Sequence, residues 1–510
     1  MTPLDAILSF PGVKNAIPLL ATWGWLLHPA CAVLVAFQCL QRRREPTSTL
    51  FWILLAAFLP VIGAMMFLLF GIYKLPVKGG HKRAADERLR DHRRAAVEDN
   101  RVEMAYWQAA RNLHPAEPGD AAGREIHRAL SGIVELEEYP LLGGNAILPL
   151  IDGDEAYPPM LEAIRQARHH IHLQSFIIHD DDTGRSFFAA LAERARAGVT
   201  VRILYDRFGC TTAVWRWFFH RYRNVPNLTL VGWTQANPLK RQFVLNLRNH
   251  RKLLLVDGAV AFTGGVNLHD ENLTRPGAPA IRDFHFQIRG PVVQELQYTF
   301  LQDWHFMSGE PPAQFLQPGY FPEQTPAGNA LVRVLNGGPS FETEVMSDAF
   351  FSAITAARTR LWVITPYFSP LGDLIHALRA AAQRGVDVRL VLPEANNHLY
   401  AKLAGRATYE ELLASGVRVF ERRPPFVHAK AMIVDGSLAI IGTANLDVRS
   451  LRLNYETNLA VFDGAFVVVM KDVIEAELAA SREILLPAWR NRPFLQQTLE
   501  NAFNLCTPIL

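Results

Sequence analysis

The sequence contains few cysteines and few charged residues, and both shortages restrict what the protein can be. Among 510 residues there are four cysteines and no C-x-x-C pair, so neither a disulfide framework nor a thiolate zinc site is expected. Charged residues make up 20% of the chain, below the usual share of about 25%. The net charge of +3 provides no general basic field, so nucleic acid is not expected as a partner.

The sequence also lacks the H-E-x-x-H pattern of zinc enzymes. Three histidines, His169, His170 and His172, stand at the start of a predicted strand. His169 and His172 fall on opposite faces of such a strand, because successive side chains alternate. A metal site is therefore not predicted there.

Two long stretches of the N-terminal region contain no Asp, Glu, Lys or Arg. They lie between Lys14 and Arg42 and between Glu45 and Lys74. Each exceeds the roughly 20 residues that a helix needs to cross about 30 Å of hydrocarbon. We therefore predict a two-helix transmembrane hairpin within residues 1–80. Two alternatives remain open, namely a signal peptide followed by one anchor and a buried globular hairpin.

The charges that flank these stretches predict an orientation. The loop between them carries three arginines at 42–44, whereas the outer flanks carry five basic residues: Lys14, Lys74, Lys78, Lys82 and Arg83. The positive-inside rule then places the larger C-terminal part in the cytoplasm. Residues 81–143 follow as a charged linker, helical from Ala84 to about Asn112. We interpret this helix as solvated or membrane-skimming, or as an ordinary charged surface helix.

Two copies of one unit occupy residues 144–310 and 329–495. Leu161–Phe176 resembles Phe351–Phe368, since both have a helical apolar period that leads into a strand-like run. Ala197–Asp206 likewise matches Arg384–Pro393, where a helix ends at Gly and a buried strand begins. Helix and strand alternate throughout, which predicts the α/β class with two repeated units packed together. A Pro- and Gly-rich segment, 309–328, separates them.

Each unit carries the same motif, H-x-K-x4-D-x6-G-x2-N. Its chemistry-bearing residues are His250, Lys252, Asp257 and Asn267 in the first unit and His428, Lys430, Asp435 and Asn445 in the second. On a strand, side chains at i and i+2 point to the same face, so each His–Lys pair can address one group of ligand atoms. The apolar run that follows predicts a buried strand, and the Asp-Gly pair after it predicts a hairpin turn. Two copies at equal spacing inside an independent repeat are not a chance match.

The combination of residues suits phosphoryl chemistry. Lysine and asparagine side chains donate hydrogen bonds to the anionic oxygens of a phosphoryl group. One neutral imidazole can attack phosphorus while a second, protonated imidazole gives its proton to the leaving alkoxide. Two lysines supply the charge stabilisation, so the reaction requires neither a metal nor another cofactor.

Further side chains are expected around the two imidazoles. A carboxylate should fix the tautomer of each ring, and Asp283 and Glu456 are the candidates because each follows the asparagine of its own unit. We group the motif residues Asp257 and Asp435 with the catalytic set, with a role in holding the turn as the alternative. Aromatic residues that could form an apolar mouth are Tyr367, Phe368 and Phe426.

The doubled motif resembles that of the phospholipase D superfamily. Nearly the whole chain is similar to the bacterial cardiolipin synthases with an N-terminal membrane hairpin, and the segment from Gly442 to Asn458, GTANLDVRSLRLNYETN, is the most specific part. The superfamily often has Ser after the Gly of the G-x2-N step, where this chain has Gly265 and Thr443.

This resemblance implies two phospholipase D-like units in an enzyme of the bacterial inner membrane that faces the cytoplasm. The enzyme would join two phosphatidylglycerol molecules into cardiolipin and release glycerol through a phosphatidyl-histidine intermediate. By the family pattern His250 is the nucleophile and His428 is first acid and then base, with the reverse assignment left open.

Three other functions are compatible with parts of the sequence. A membrane-anchored phospholipase D would use the same residues with water as the acceptor. A superfamily nuclease would keep the motifs, but the near-neutral charge and the two predicted spans argue against it. A membrane scaffold without activity would have little reason to keep both motifs. The sequence leaves the acceptor lipid and the oligomeric state open.

Overall fold

The computed structural model describes residues 29–41, 46–59, 61–67, 75–99, 117–133, 139–233, 248–277, 280–339, 344–370 and 372–505. The chain divides into two compact units between Pro76 and Val77. The predicted linker and both predicted repeats fall within the second unit.

Most of the described residues of the N-terminal unit are helical. Residues 29–40 form one helix, and Pro46–Phe58 and Ile62–Met66 form two more. Within the described part of the chain, no helix combines the length and the apolarity that a membrane crossing requires. The two predicted spans are thus not found as continuous helices. Parts of them, and the predicted loop at 42–44, lie outside the described residues.

The helix Leu75–Glu98 differs from the solvated linker that its composition predicts. Lys82 and Arg93 are buried, and they pair with Asp303 and Glu295 of a helix later in the chain. A helix so rich in charge can be buried on one face because these charges meet carboxylates there. The remainder of the predicted linker includes residues 100–116 and 134–138, which lie outside the described residues.

Nineteen strands are found among the described residues, all of them in the second unit. They are β1 (Leu142–Ile151), β2 (His170–Ser175), β3 (Thr200–Asp206), β4 (Leu228–Trp233), β5 (Leu253–Val256), β6 (Val260–Gly264), β7 (Ile281–Arg282), β8 (Phe284–Arg289), β9 (Ala330–Gly337), β10 (Arg360–Ile364), β11 (Phe368–Ser369), β12 (Asp387–Pro393), β13 (Arg418–Arg422), β14 (Phe426–Val427), β15 (Ala431–Val434), β16 (Leu438–Gly442), β17 (Leu446–Asp447), β18 (Glu456–Phe462) and β19 (Ser481–Ile484).

Fifteen of these strands form one mixed sheet in the order β19-β13-β12-β10-β15-β16-β18-β9-β1-β8-β6-β5-β2-β3-β4. The antiparallel pair β9 and β1 lies at the centre of the sheet. Outward from this pair the two halves correspond strand by strand: β18 with β8, β16 with β6, β15 with β5, β10 with β2, β12 with β3 and β13 with β4. β2 and β3 run parallel in one half, and β10 and β12 run parallel at the equivalent place in the other. The α/β class and the internal repeat are therefore confirmed.

Helices cover the sheet and its edges. The helices of the second unit beyond Glu98 are Ala121–Ser131, Asp152–Gln166, Asp182–Arg196, Thr211–Trp215, Val292–Ser308, Val345–Ala356, Gly372–Gln383, Leu399–Arg406, Tyr409–Ala414, Gly464–Ala479, Leu486–Arg490 and Phe494–Asn504. Apolar side chains of helices and strands pack into three large buried clusters within this unit. One cluster contains residues of β5 and β8 from the first repeat together with residues of β9, β15 and β18 from the second.

The motif segments form β-hairpins, as predicted. β5 and β6 pair antiparallel around the turn at Asp257 and Gly258, and β15 and β16 pair around Asp435 and Gly436. Every residue of β5 and β15 is buried, which explains their continuous apolar sequences. Each motif histidine therefore precedes its buried strand, and each motif aspartate follows that strand at the other edge of the sheet.

Candidate active site

The two motif histidines are positioned by short backbone contacts that cross between the repeats. The backbone N–H of His250 donates to the carbonyl oxygen of Tyr455 at 2.9 Å. The backbone N–H of His428 donates to the carbonyl oxygen of Arg282 at 2.7 Å. Tyr455 and Arg282 directly precede Glu456 and Asp283 in the chain. Each histidine is therefore anchored beside the candidate carboxylate of the opposite repeat.

The side chains follow the same crossed arrangement. The Nδ1 of His250 lies 3.0 Å from Oε2 of Glu456, and the Nδ1 of His428 lies 2.7 Å from Oδ2 of Asp283. Both carboxylates are fully buried. A carboxylate at Nδ1 holds the ring with Nε2 free to face a substrate. The structure thus brings together all four residues, but it pairs each histidine with the carboxylate of the other repeat.

The motif lysines are buried beside the histidines. Lys252 Nζ donates to the carbonyl oxygen of His250 at 2.8 Å. Lys430 Nζ lies 2.8 Å from Nδ1 of His428 and also contacts the carbonyl oxygen of that residue. Burial, together with the charge of Lys430, lowers the pKa of Lys252 to about 7, and burial lowers the pKa of Lys430 to about 8. The two ammonium groups are close enough to repel each other, which suits a site that receives an anion.

Burial also disfavours the charged form of both histidines. It lowers the pKa of His428 to about 3, with help from Lys430 and against the opposing effect of Asp283. It lowers the pKa of His250 as well, although Glu456 acts in the other direction. Both rings are therefore neutral without a ligand, and a bound anion would favour protonation of one of them.

The carboxylates behind the rings stay ionised. Burial raises the pKa of Asp283, but Lys430 and His428 outweigh that effect and the pKa is lowered. The pKa of Glu456 is lowered in the same way, because His250 and Lys252 outweigh its burial. Each carboxylate can therefore stabilise an imidazolium cation when one forms.

The residue after the motif glycine differs between the repeats, and the structure shows the reason. A Cβ on Gly265 would lie 1.9 Å from Oδ1 of Asp283, so this carboxylate occupies the space that any side chain would need. In the second repeat Thr443 fills the equivalent place, and its hydroxyl donates to Oε2 of Glu456 at 2.6 Å. Glu456 thus accepts a hydrogen bond from a hydroxyl group, whereas Asp283 occupies the space that a side chain at position 265 would fill. Sequence reasoning did not find this role of Thr443.

The motif asparagines are buried close to the site. The Oδ1 of Asn267 accepts the backbone N–H of Ile177 at 3.2 Å, which leaves the amide group to donate. Asn445 donates from Nδ2 to Asp447 at 3.2 Å, and its Oδ1 meets no donor among the described residues. A buried amide oxygen with no partner is costly and indicates a site that a ligand or water completes.

The motif aspartates bind backbone at the edge of the sheet away from the histidines. Asp257 accepts the backbone N–H groups of residues 168, 169 and 170 at 2.8 to 2.9 Å. Asp435 accepts those of residues 358, 359 and 360 at 2.7 to 3.2 Å. Both have positive φ, 52° and 53°, as the hairpin turn requires. These contacts favour the structural alternative over a place in the catalytic set.

Aromatic rings surround the two histidines. Phe176 lies 4.9 Å from the ring of His250, a contact that sequence reasoning missed. Tyr367 and Phe426 lie 6.3 Å and 6.0 Å from the ring of His428, where an apolar mouth is predicted. Phe368 is the exception, because its side chain is buried in the core. The prediction that Phe368 contributes to the mouth is therefore wrong.

A charged network lies directly behind the motif of the first repeat. The Oδ2 of Asp303 accepts hydrogen bonds from Gln174, Asn249 and Arg251 at 2.7 to 2.8 Å, and Lys82 pairs with its other oxygen at 3.1 Å. Arg251 and Lys82 outweigh the effect of burial and lower the pKa of Asp303 to about 2. Since Asn249 and Arg251 flank His250, this carboxylate fixes the backbone that carries the histidine.

Comparison with known proteins gives matches over nearly the whole chain. A family model described as "Cardiolipin synthase, PLD-like domain" matches residues 160–304 and 350–477, and one described as "Phospholipase_D-nuclease N-terminal" matches residues 30–71. The chain is 33% identical to the cardiolipin synthase of Alkalihalophilus pseudofirmus over 475 residues, which cover 92% of this chain and 90% of that protein. It is 34% identical to cardiolipin synthase A of Pseudomonas fluorescens over 478 residues, 94% of this chain and 96% of that protein.

A solved structure shares the fold. The phosphatidylserine synthase of Haemophilus influenzae superimposes with a TM-score of 0.58 at 15% identity, covering 76% of this chain and all of that one. At this identity the likeness shows the fold alone, whereas the sequence matches show the family. Together with the doubled histidine–lysine site, they establish that this chain belongs to the cardiolipin synthases, a family of phosphatidyltransferases within the phospholipase D superfamily.

Proposed function

We propose that this enzyme joins two phosphatidylglycerol molecules into cardiolipin and glycerol, with His250 as the nucleophile. The observation that carries the proposal is the crossed pair of histidine–carboxylate contacts. It gives one site two oriented imidazoles with different partners, as a reaction with one nucleophile and one proton donor requires.

In the first step, Nε2 of His250 attacks the phosphorus of one phosphatidylglycerol. An N–P bond forms, and the bond between phosphorus and the oxygen of the glycerol headgroup breaks. His428, protonated once the anionic phosphate is bound, gives its proton to that oxygen, so glycerol leaves as a neutral alcohol. Lys252 and Lys430 stabilise the charge on the phosphoryl oxygens.

In the second step, the terminal hydroxyl of another phosphatidylglycerol attacks the phosphorus of the intermediate. His428 is now neutral and removes the proton of this hydroxyl. The N–P bond breaks, which returns His250 to its free state and releases cardiolipin. Asp283 and Glu456 stabilise whichever imidazole carries positive charge at each stage.

The products formed in vesicles test this proposal. Purified enzyme given phosphatidylglycerol should yield mainly cardiolipin and free glycerol, with phosphatidic acid as a minor product. Transfer wins over hydrolysis when acceptor hydroxyls are concentrated and water is limited at the intermediate. If phosphatidic acid dominates under these conditions, the enzyme is a hydrolase and the proposal fails.

We also propose that the N-terminal unit associates the enzyme with the bacterial cytoplasmic membrane as a two-span hairpin. The match of residues 30–71 to an N-terminal family model supports this, as do the exposed apolar side chains of its helices, among them Leu40 and Phe58. Reporter fusions at Glu45 and at the C-terminus should report the outside and the cytoplasm, respectively. A cytoplasmic signal at Glu45 contradicts this topology.

A further inference from the structure

Large apolar side chains are exposed on the edge of the sheet where the two motif histidines lie. Trp215 and Trp217 are 78% and 70% exposed, and Phe208 is also exposed. They follow the end of β3, where Asp206 accepts the backbone N–H of Asn249 at 3.2 Å, next to His250. All three therefore follow the strand end that lies next to His250, and the ring of Phe208 contacts Arg248, two residues before that histidine.

The second repeat exposes apolar residues at the equivalent place. β12 corresponds to β3 in the order of the sheet, and the helix Leu399–Arg406 follows it as the helix Thr211–Trp215 follows β3. Leu399 and Tyr400 are exposed at the start of that helix. The preceding residue, His398, contacts Tyr367, whose ring faces His428. We call Phe208, Trp215, Trp217, Leu399 and Tyr400 the mouth surface, because they lie on both sides of the site.

The backbone of Trp217 is held in a conformation that bulky residues rarely adopt. Its φ is +57°, in the left-handed region. This conformation costs free energy, and the side chain it presents is not buried in return. The conformation closes the end of the helix Thr211–Trp215, since the backbone N–H groups of Trp217 and Phe218 donate to the carbonyl oxygens of Val214 and Ala213, and it leaves the indole at the surface.

The charge around the mouth surface identifies the kind of ligand. Residues 207–233 include four arginines and no aspartate or glutamate, and one of the four, Arg221, pairs with Asp180. Arg207, Arg216 and Arg223 are exposed, and the guanidinium of Arg248 lies 4.0 Å from the ring of Phe208. Tryptophan and tyrosine side chains are favoured at the interface of a bilayer, and arginines beside them are attracted to anionic headgroups.

We propose that the mouth surface inserts into the interfacial layer of a bilayer that contains anionic lipids, and so brings the active site onto its substrate. This contact is separate from the N-terminal unit. It rests on the proposed function in one respect, because that function makes a bilayer lipid the substrate. Lipid then reaches the histidines without the phosphodiester crossing bulk water.

The test uses the full-length enzyme with Trp215→Ser and Trp217→Asn together. Asparagine tolerates positive φ, so this pair removes both indoles without adding strain. The matched control is Val468→Ser with Val469→Ser. These exposed residues follow β18, which runs from Glu456 at the site towards the opposite edge of the sheet.

In detergent micelles that contain phosphatidylglycerol, the tryptophan variant should need roughly five- to tenfold more substrate in the micelle for half-saturation. Its rate on dispersed short-chain phosphatidylglycerol should equal that of the wild type. The control should match the wild type in both assays. If the tryptophan variant loses as much activity on the short-chain substrate, the tryptophans have a structural role. If the substrate content of the micelle at half-saturation is unchanged, the tryptophans do not touch lipid. Either result overturns the proposal.

A direct measurement separates this proposal from the proposed function. In vesicles with brominated phosphatidylglycerol, lipid quenches nearby indoles, so the wild type should lose more fluorescence than the Trp215→Phe, Trp217→Phe variant loses. Equal losses overturn the mouth surface as a lipid contact, including the case in which a protein partner covers it. A failure to form cardiolipin would contradict the proposed function and leave this fluorescence result intact.

Discussion

Gly265 and Thr443 occupy equivalent positions in the two repeats, but their interactions with the neighbouring carboxylate differ. One provides space for Asp283, and the other donates a hydroxyl to Glu456. The two histidines therefore have unlike surroundings despite their identical motifs. This difference at single residues is what two separate chemical roles require.

Replacing Gly265 with alanine should inactivate the enzyme. The new methyl group would lie 1.9 Å from Oδ1 of Asp283, so the carboxylate must move away from His428. We expect a loss of at least about 100-fold in kcat, as for other misplaced orienting groups. Gly436→Ala is the control, because a Cβ there meets nothing within 4 Å. A Gly265→Ala enzyme with more than a tenth of normal activity would show that Asp283 need not hold this position.

The lysines predict an alkaline limit to activity. The pKa values of Lys252 and Lys430, about 7 and about 8, mean that the free enzyme loses positive charge as the pH rises through this range. kcat/KM should therefore fall above pH 7 to 8, because a neutral amine cannot stabilise the phosphoryl oxygens. In Lys430→Arg the positive charge persists at high pH, so the fall in kcat/KM should occur at a higher pH, even if the rate itself is lower. If the alkaline limb stays at the same pH both in Lys430→Arg and in Lys252→Arg, it belongs to another group.

At the level of elements, the helix Leu75–Glu98 is part of the catalytic unit through its buried charges. Lys82 reaches Asp303, which in turn holds Asn249 and Arg251 on either side of His250. This helix, whose residues from Val77 onward belong to the second unit, therefore supports the backbone of the active site.

Removing the charge of Lys82 should destabilise this unit. Lys82→Met leaves Asp303 with one cation fewer in a fully buried place, and we expect a loss of about 2–4 kcal/mol in the free energy of unfolding. Arg83→Met is the control, because Arg83 pairs with Glu87 on the exposed side of the same helix. Its cost should stay below about 1 kcal/mol. Thermal unfolding of both variants in detergent measures the difference, and equal melting temperatures would contradict it.

Local patterns in the sequence predict most of the elements around the site. The buried strands after His250 and His428, and their Asp-Gly turns, follow from residues that are adjacent in the chain. The crossed partners could not be predicted, because Glu456 and Asp283 lie 206 and 145 residues from the histidines they orient. Such contacts depend on how the two repeats pack, which no local pattern records.

The burial of one face of the charged helix Leu75–Glu98 could not be predicted either, because it also depends on contacts that are distant in sequence. Its composition favours solvent, and only the carboxylates of a helix about 200 residues later make the burial of Arg93 and its neighbours possible. The domain boundaries at 144 and 329 stay predictions, since both repeats belong to one compact unit, in which β1 begins at Leu142 and β9 at Ala330.

At the scale of the whole molecule, each repeat depends on the other, because each histidine contacts a carboxylate of the opposite repeat. A substrate with a good leaving group can test this dependence. In a phosphatidyl ester of p-nitrophenol the leaving group needs no proton. In a single turnover, release of nitrophenolate by Asp283→Asn should therefore approach the wild-type rate, because this carboxylate contacts His428, the proton donor of the proposed mechanism. Release by Glu456→Gln should stay slow in the same single turnover, because this carboxylate contacts His250, the nucleophile of the proposed mechanism.

Two further variants separate the roles from the pairing. In a single turnover, His428→Ala should still release one equivalent of nitrophenolate, because His428 is needed as a base only in the second step, whereas His250→Ala should release none. If these two results hold but the carboxylate results are reversed, each carboxylate serves the histidine of its own repeat. If the histidine results are reversed as well, His428 is the nucleophile.

The exchange of carboxylates between repeats also suggests how the enzyme arose. In this fold each imidazole contacts the carboxylate of the other repeat, so a single ancestral unit with the same arrangement would have left its own imidazole without that contact. Two identical copies related by a twofold axis would have completed each other's sites at once, because a symmetric contact gives both partners the same arrangement. Fusion of the duplicated gene would then have preserved that homodimer within one chain. Only after fusion could the copies diverge, as Gly265 and Thr443 have done, and such divergence would let the two imidazoles take the two roles of the proposed mechanism.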